Sequence, residues 1–403
     1  MKNTMLGVID ATSYYDSLED LLLHRSLAAL PIAGRYRLID FVLSNMVNSD
    51  IGSVAIFPKF QYRSLMDHLG SGKNWDLNRK RDGLFFFPAP GLEASEEGVG
   101  SFNHFAHHLD YFNRSTQEYA LISNCFTLCN IDYQPVLERH IRIGCDITEM
   151  RHNGNSLDMY LVKTSTLIDL IQKRRETGYT CMQDVVEDMD SGFKVCGYEH
   201  DGFVQTIDCI EEYYDASMKL MNLSYWKELF KKDMPIYTKV KDEPPTRYTS
   251  AASVKNSIIA NGCFIEGQVK NSTMFRAVKV GKNTTISGSI IMQKSQIGDN
   301  CVLENVILDK DVKIEDGVKL IGDPNNPIVI RKGMMSYDTY VQALSAVDVF
   351  VIPYTVNAFT KVMYAPYKVT EYMAMNRPIV FSDVGDMKDL LGRYQDLMCK
   401  PDD

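Results

Sequence analysis

Hydrophobic positions divide the chain into three stretches with different periods. Between residues 5 and 235, short apolar runs such as "SVAIFP" (53–58) and "EYALISN" (118–124) alternate with segments of helical spacing, "YRSLMDHLG" and "VLERHIRIG". Strands alternating with helices predict an α/β sheet, largely parallel, whose ligand site lies at the C-terminal strand ends. "LEASEEGVGSFN" reads as a loop and "TKVKDEPPTRYTS", with Pro244 and Pro245, as a linker. From about 251 to 323 the apolar positions recur every five or six residues: Phe264, Val269, Met274, Val280, Ile286, Ile291, Ile297, Leu303, Leu308, Ile314 and Leu320. That period belongs to neither an α-helix nor a flat strand. With turns such as "VGKNTTISG" and "IGDNCV" it predicts a hexapeptide β-helix, each side of a triangular coil sending one aliphatic side chain inward. Coil ends and flat faces are expected subunit contacts. After "GDPNNPIVIRKG" the helix–strand alternation returns, so the expected division is 1–240, 251–333 and 334–403.

Composition narrows the class. Hydrophobic residues make up 45% and charged residues 24% of the 403, and no apolar run is long enough to span a bilayer. "MKNTMLGVID" lacks the features of a signal peptide, so a cytoplasmic location is expected. Nine scattered cysteines without a CxxC pair predict reduced thiols rather than disulfides or a zinc site. A net charge of −9 gives no reason to expect a nucleic-acid partner, although local basic patches remain compatible with it.

At "GRYRLIDFVLSNMVNSDI" the chain resembles the glucose-1-phosphate adenylyltransferases (ADP-glucose pyrophosphorylases). The resemblance covers about residues 3–333 and is carried by Gly34, Arg37, Asp40, Phe41, Leu43, Ser44, Asn45, Asn48 and Ser49. "KFQYRSLMDHL", "NWDL", "IDY" (131–133) and "IEEYYDASMKLM" extend it. It implies a Rossmann-like nucleotidyltransferase domain followed by a left-handed β-helix. The implied reaction joins ATP and glucose 1-phosphate into ADP-glucose and pyrophosphate, toward glycogen. That chemistry needs glycine amides and cations at the triphosphate and carboxylates for Mg2+.

The parts that perform it are missing at separate positions. Where the family has paired glycines the chain has Thr12 and Ser13; Tyr15 replaces a third glycine and Ser17 an arginine, with Asp16 adding negative charge. Leu27 stands at a lysine linked to activator response, and Asn103 at an acidic position, although Gly100 is kept. The two metal-linked aspartates fall on Cys125 and Thr206, and Asp208 is expected on the face opposite Thr206. The family's FxEKP segment has no counterpart. The pattern resembles the GlgD-type subunit, which implies a catalytically weak or silent chain, without a cofactor of its own, that regulates a catalytic homologue. Mg2+ and ATP would belong to a catalytic homologue, partnered in a hetero-tetramer, with a homo-oligomer as the alternative.

Several residues carry open readings. Asp40, Ser44 and Asn45 are expected to cap and pin a helix, with Phe41 and Leu43 packed beneath it. Arg25, Arg35 and Arg37 are expected either to hold a phosphorylated effector or vestigial nucleotide, or to sit in ion pairs. "HFAHH" places His104, His107 and His108 at helical spacing for a metal, with surface or interface histidines as the favoured reading. "NRKRDG" (78–83) reads as a solvated loop, Cys125 and Cys129 as core thiols, and "GLFFFPAP" as buried or in contact with a partner. An active enzyme would need Asp132 or Asp184 to carry Mg2+. Finally, "APYKVTEYMAMNRPIVFSDVGD" is similar to the donor-binding half of GT-B glycosyltransferases, which implies Lys368 near donor phosphates and Glu371 near a ribose. Without an acceptor domain the tail is expected to be an accessory addition, and glycosyl transfer is the third reading.

Overall fold

The run "MLGVIDA" forms β1 (Met5–Ala11), buried along its whole length. A strand covered on both faces can be apolar throughout, and here Leu6 and Val8 enter one core while Met5 and Ile9 enter the other. The computed structural model describes residues 4–79, 82–89 and 98–332, and the backbone of three short strands beyond them. The other strands of three or more residues in the first region are β2 (Ser53–Pro58), β3 (Gly83–Phe86), β4 (Tyr119–Ser123), β5 (Thr127–Cys129), β6 (Ile147–His152), β7 (Asn155–Lys163), β8 (Val195–Glu199) and β9 (Val204–Thr206). Seven of them make one sheet in the order β8–β6–β7–β4–β1–β2–β3, parallel except for β7; β5 and β9 pair separately.

Helices α1 (Leu38–Asn48), α2 (Arg63–Leu69), α3 (Phe102–Ala106), α4 (Leu109–Arg114), α5 (Gln134–Ile143), α6 (Thr164–Thr177) and α7 (Met182–Glu187) cover the two faces. Ile39, Val42, Leu65 and Val136 pack on one side, and Phe102, Phe112, Leu167 and Met182 on the other. β6 and β7 are joined by Asn153 and Gly154 alone, at φ 50° and 80°, the left-handed pair that a two-residue hairpin requires.

Residues 247–330 form the β-helix, a left-handed coil of three five-stranded parallel sheets. Val269, Ile286, Leu303 and Leu320 stack in register on one side, and Met274, Ile291, Leu308 and Ile330 on another. The third column corrects one expected position: Ile265, fully buried, precedes Val280, Ile297 and Ile314, while its neighbour Phe264 is only half-buried. A one-residue shift turns a strand side chain to the opposite face.

The coil docks on the first region through particular contacts. The Tyr214 hydroxyl reaches the Gly288 carbonyl at 2.6 Å and lies 2.9 Å from Asn305 Oδ1. Gly34 has φ 77°, and a Cβ there would come within 3.0 Å of Ile258 in the first coil, so glycine serves both the turn and the domain contact.

The expectation of reduced thiols throughout is corrected by a disulfide between Cys145 and Cys196. The two are 51 residues apart, but β6 and β8 are adjacent strands, and this brings their Cα atoms to 6.1 Å. Cys125, Cys129, Cys181, Cys209, Cys263 and Cys301 are free. Residues 1–333 and 334–403 form two compact units. Within the second unit Phe350–Ile352, Ile379–Ser382 and Met398–Cys399 form a parallel three-stranded sheet. Lys368 and Glu371 lie outside the described residues. No helix among the described residues is long and apolar enough to cross a membrane.

Candidate functional site

The C-terminal end of β1 is where an α/β sheet offers its ligand site, and here it carries Asp10, 1% exposed. Its Oδ2 accepts the Gly100 amide at 2.7 Å and lies 3.4 Å from the Ser101 nitrogen. Its Oδ1 accepts both the amide and the hydroxyl of Thr12, at 2.9 and 2.6 Å. A built-in carboxylate therefore takes up amides that a phosphate would need, and it repels a second anion. Gly100 keeps its left-handed backbone, φ 83°, but its N–H is spent.

The loop that follows is tied down over the strand ends. The Tyr15 ring packs edge-on against Phe126 at 5.6 Å, and burial followed by the nearby Cys125 and Asp208 pushes its phenol well above the ordinary range. Ser17 donates to the Asp208 carbonyl at 2.6 Å. Ser13 lies between these anchors.

The two positions where the resemblance led one to expect metal-linked aspartates bring no carboxylate. Cys125 is buried, and burial first, then Asp10, pushes its thiol far above the usual value, so it stays protonated and is no ligand for Mg2+. Thr206 sits in β9 opposite Thr127 and brings no charge. The two proposed substitutes are spent elsewhere. Asp132 Oδ1 accepts the Gln134 amide at 2.9 Å and the Ser49 hydroxyl at 3.2 Å. Asp184 accepts the Thr180 amide and hydroxyl and the Cys181 amide at the start of α7. Burial raises the Asp184 pKa, but these hydrogen bonds outweigh it and hold the carboxyl below its ordinary range. Among the described residues no three His, Cys, Asp or Glu side chains converge to hold a metal. The residues present do not fit the Mg2+ that the family's chemistry requires.

Other sequence expectations resolve individually. Leu27 is buried in the core, and Asn103 accepts from Arg174 Nε at 3.0 Å. Asp40, Ser44 and Asn45 lie within α1 rather than ahead of it. Asp40 receives the Arg37 amide at 3.0 Å and pairs with His68 at 2.6 Å; Ser44 accepts the Tyr237 amide, and Asn45 donates to the Cys129 carbonyl. Phe41 and Leu43 are fully buried. The expected histidine face is broken, because α3 ends at Ala106 and α4 begins at Leu109. His104 turns inward, with Nε2 at 2.9 Å from the Phe87 carbonyl. Arg79 pairs with Asp76 at the surface, as suits a solvated loop. Burial pushes the Cys129 thiol up to about 12.

The three arginines divide. Arg25, 2% exposed, is an internal strut: it donates to the Leu21 carbonyl at 2.7 Å and to Asp309 of the β-helix at 2.5 Å. Arg35 and Arg37 face a cleft of about 430 Å3 between the two domains, beside a smaller hollow of about 210 Å3 that Arg25 and Arg37 both line. The linker adds Lys239 and Lys241, and the coil adds Arg276 and Lys310, with Arg63 on the near wall. Asp67 is the single carboxylate among the described residues that line the larger cleft. Burial, then Arg276, Lys239 and Arg37, lowers the Lys241 pKa, and burial brings Arg37 down to about 10. Crowded cations that gain by a counter-charge are the electrostatic form of an anion site.

Residues 18–152 match the nucleotidyl transferase family, and residues 244–327 the GlmU-like C-terminal hexapeptide family. The chain is 56% identical over 333 residues to "Glycogen biosynthesis protein GlgD" of Bacillus subtilis (strain 168), covering 83% of this chain and 97% of that protein. The chain belongs to the GlgD family. The GlgD protein of Geobacillus stearothermophilus is 60% identical over 334 residues, with the same coverage. The "Glucose-1-phosphate adenylyltransferase" of Bacillus anthracis is 29% identical over 348 residues, covering 76% of this chain and 92% of its own length. This GlgD-family chain thus keeps an adenylyltransferase scaffold around altered strand ends. Sequence reasoning did not single out Asp10, Asp309, Lys241 or Arg276. Asp10 alone had a local signal, an acid next to the altered glycine positions.

Proposed function

We propose that this GlgD-family chain acts in cytoplasmic glycogen biosynthesis as a subunit without catalysis of its own. It would modulate a glucose-1-phosphate adenylyltransferase that supplies the ATP and Mg2+ chemistry. The observation that carries this reading is the Asp10 carboxylate occupying the Gly100 and Thr12 amides, beside metal positions held by Cys125 and Thr206. Pyrophosphate release from ATP, glucose 1-phosphate and Mg2+ tests it. The chain alone is expected to be silent, and its mixture with a catalytic homologue from the same source to exceed the homologue alone in rate or affinity. Turnover by the chain alone overturns the reading.

The interdomain cleft supports a phosphorylated effector as the signal. Arg35, Arg37, Lys241 and Arg276 reach it from both domains, so a bound anion would bear on their relative positions. Isothermal titration with pyrophosphate as probe is expected to show binding that the Lys241→Glu, Arg276→Glu double variant weakens by about 100-fold, since each reversal replaces attraction by repulsion. Unchanged affinity would remove the cleft from the mechanism.

A further inference from the structure

The turn between β6 and β7 pairs two residues whose chemistry neither the cleft nor the strand ends use. Asn153 and Gly154 are both exposed, and an asparagine followed by glycine is open to attack by its own backbone. The Gly154 nitrogen can close a five-membered ring on the side-chain carbonyl carbon of Asn153. No side chain stands in the way, and a Cβ on Gly154 would find open space out to 4 Å. An amide nitrogen attacks only as its proton leaves, so the rate depends on the group that accepts that proton. Here it is a carboxylate: the Gly154 N–H donates to Glu199 Oε1 at 3.2 Å. Glu199 ends β8 and is in register with Arg151 of β6, and this pairing delivers it beside the turn. The asparagine is held as well. His152 Nδ1 lies 2.7 Å from the His200 carbonyl, an oxygen that only accepts, so in the neutral ring Nε2 is left with its lone pair. That lone pair takes an N–H of the Asn153 side chain at 3.0 Å, which turns the leaving nitrogen toward His152.

The sequence has one other Asn-Gly pair, Asn261 and Gly262, at a corner of the β-helix. Its glycine N–H is bonded to the Pro244 carbonyl at 2.7 Å, an acceptor that cannot remove the proton. Glu243 Oε2 approaches Gly262 from the Cα side, 3.4 Å from where a Cβ would stand. The two pairs share a sequence and differ in what the fold sets against the attacking nitrogen. We propose that Asn153 is a self-modification site, at which the Glu199 carboxylate draws the proton from the Gly154 nitrogen as that nitrogen attacks. The bond from the Gly154 nitrogen to Asn153 Cγ forms, the bond from Cγ to Nδ2 breaks, and ammonia leaves with the proton that Glu199 removed. Water then opens the ring. Addition at Cγ gives aspartate, and addition at the main-chain carbonyl gives isoaspartate. Either product sets a new carboxylate beside Glu199, and isoaspartate adds a backbone atom to the turn that fixes the register of β6 and β7. The site is independent of any role toward an adenylyltransferase.

Incubation of the full chain at neutral pH, with samples mapped by mass spectrometry over time, tests it, and enzymatic methylation reads the isoaspartate. Asn153 is expected to convert about 10-fold faster than Asn261 in the folded chain. Glu199→Gln still offers an acceptor to the Gly154 N–H but does not take its proton. It is expected to slow Asn153 about 10-fold and to leave Asn261 at its own rate. The factor is smaller than a base gives in an enclosed site, because Glu199 stands in water. In urea both differences are expected to vanish, since only the fold distinguishes the two glycines. Circular dichroism checks that the exposed Glu199→Gln change leaves the fold intact. Equal rates at the two pairs in the folded chain, a Glu199→Gln chain that loses the Asn153 amide as fast as the wild type, or a preference for Asn153 that persists in urea each overturns the proposal.

Discussion

Replacing Arg25 by alanine is expected to lower the stability of the two-domain unit by about 3–5 kcal/mol, read as a shift in the urea midpoint. The guanidinium and the Asp309 carboxylate are 2% and 3% exposed and meet at 2.5 Å, 284 positions apart in the chain. Asp309 also accepts the Lys310 amide, so its oxygens are placed for a charge that the variant no longer neutralises. A buried pair is costly to break because the survivor remains desolvated, while its net worth against a well-packed apolar pair is small. The variant R25M/D309L is therefore expected to recover most of the loss. Added salt changes the wild-type value little, as both groups are shielded from ions. Loss no larger than that of an exposed arginine would show that the pair is not the strut between the sheet domain and the coil.

That strut also marks where the sequence stops being legible. The β-helix declares itself because its inward positions repeat at a fixed period, and a period survives one misplaced residue, as at Phe264 and Ile265. The α/β region is legible for a similar reason: strands such as β1 and β2 are largely apolar and buried along their whole length, and the helices between them are amphipathic. Residues brought together by topology have no such signal. Arg25 reads as one of three nearby arginines, yet its fate is set by an aspartate in the last coils. The cleft that takes Arg35 and Arg37 draws Lys241 from a linker and Arg276 from a coil turn. The Cys145–Cys196 bond depends on β6 and β8 being neighbours, which the order of strands along the chain does not reveal.

The altered strand ends were half legible. Substitution of glycines by Thr12, Ser13 and Tyr15 predicts obstruction by side chains, and the structure adds a stronger effect. Asp10 does not merely narrow the space; it accepts the Thr12 and Gly100 amides and leaves them unavailable to another anion. Asp132 and Asp184 show the converse. Their chemistry suited Mg2+, but each accepts backbone amides at a helix start, Asp132 from ahead of the N-cap and Asp184 from the third helical position.

Acid is expected to destabilise the fold from about pH 6.5 downward, well before the carboxylates titrate. Burial lowers the pKa of His68, His104, His140 and His200, and that of His200 to about 4. The hydrogen bond of His104 to the Phe87 carbonyl and that of His68 to Asp40 work against this shift, and burial outweighs them. His104 uses Nε2 on the Phe87 carbonyl and His140 uses Nδ1 on Thr148, while His104 Nδ1 and His140 Nε2 are buried with no partner among the described residues. A neutral ring tolerates an idle lone pair there, but protonation would place an N–H with nothing to accept it. Below the unfolded value of about 6.5 the unfolded chain therefore binds more protons than the folded one. Their contribution is complete above that value, declines as pH falls toward each folded pKa, and levels off below it. Between about pH 6.5 and 5, His200 alone accounts for about 2 kcal/mol at most, and the other three act in the same direction. Urea unfolding at about pH 7.5, 6 and 5 should show falling stability, and a His200→Gln variant a shallower slope. A flat profile across this range would mean that these rings protonate in the folded chain as readily as in the unfolded one.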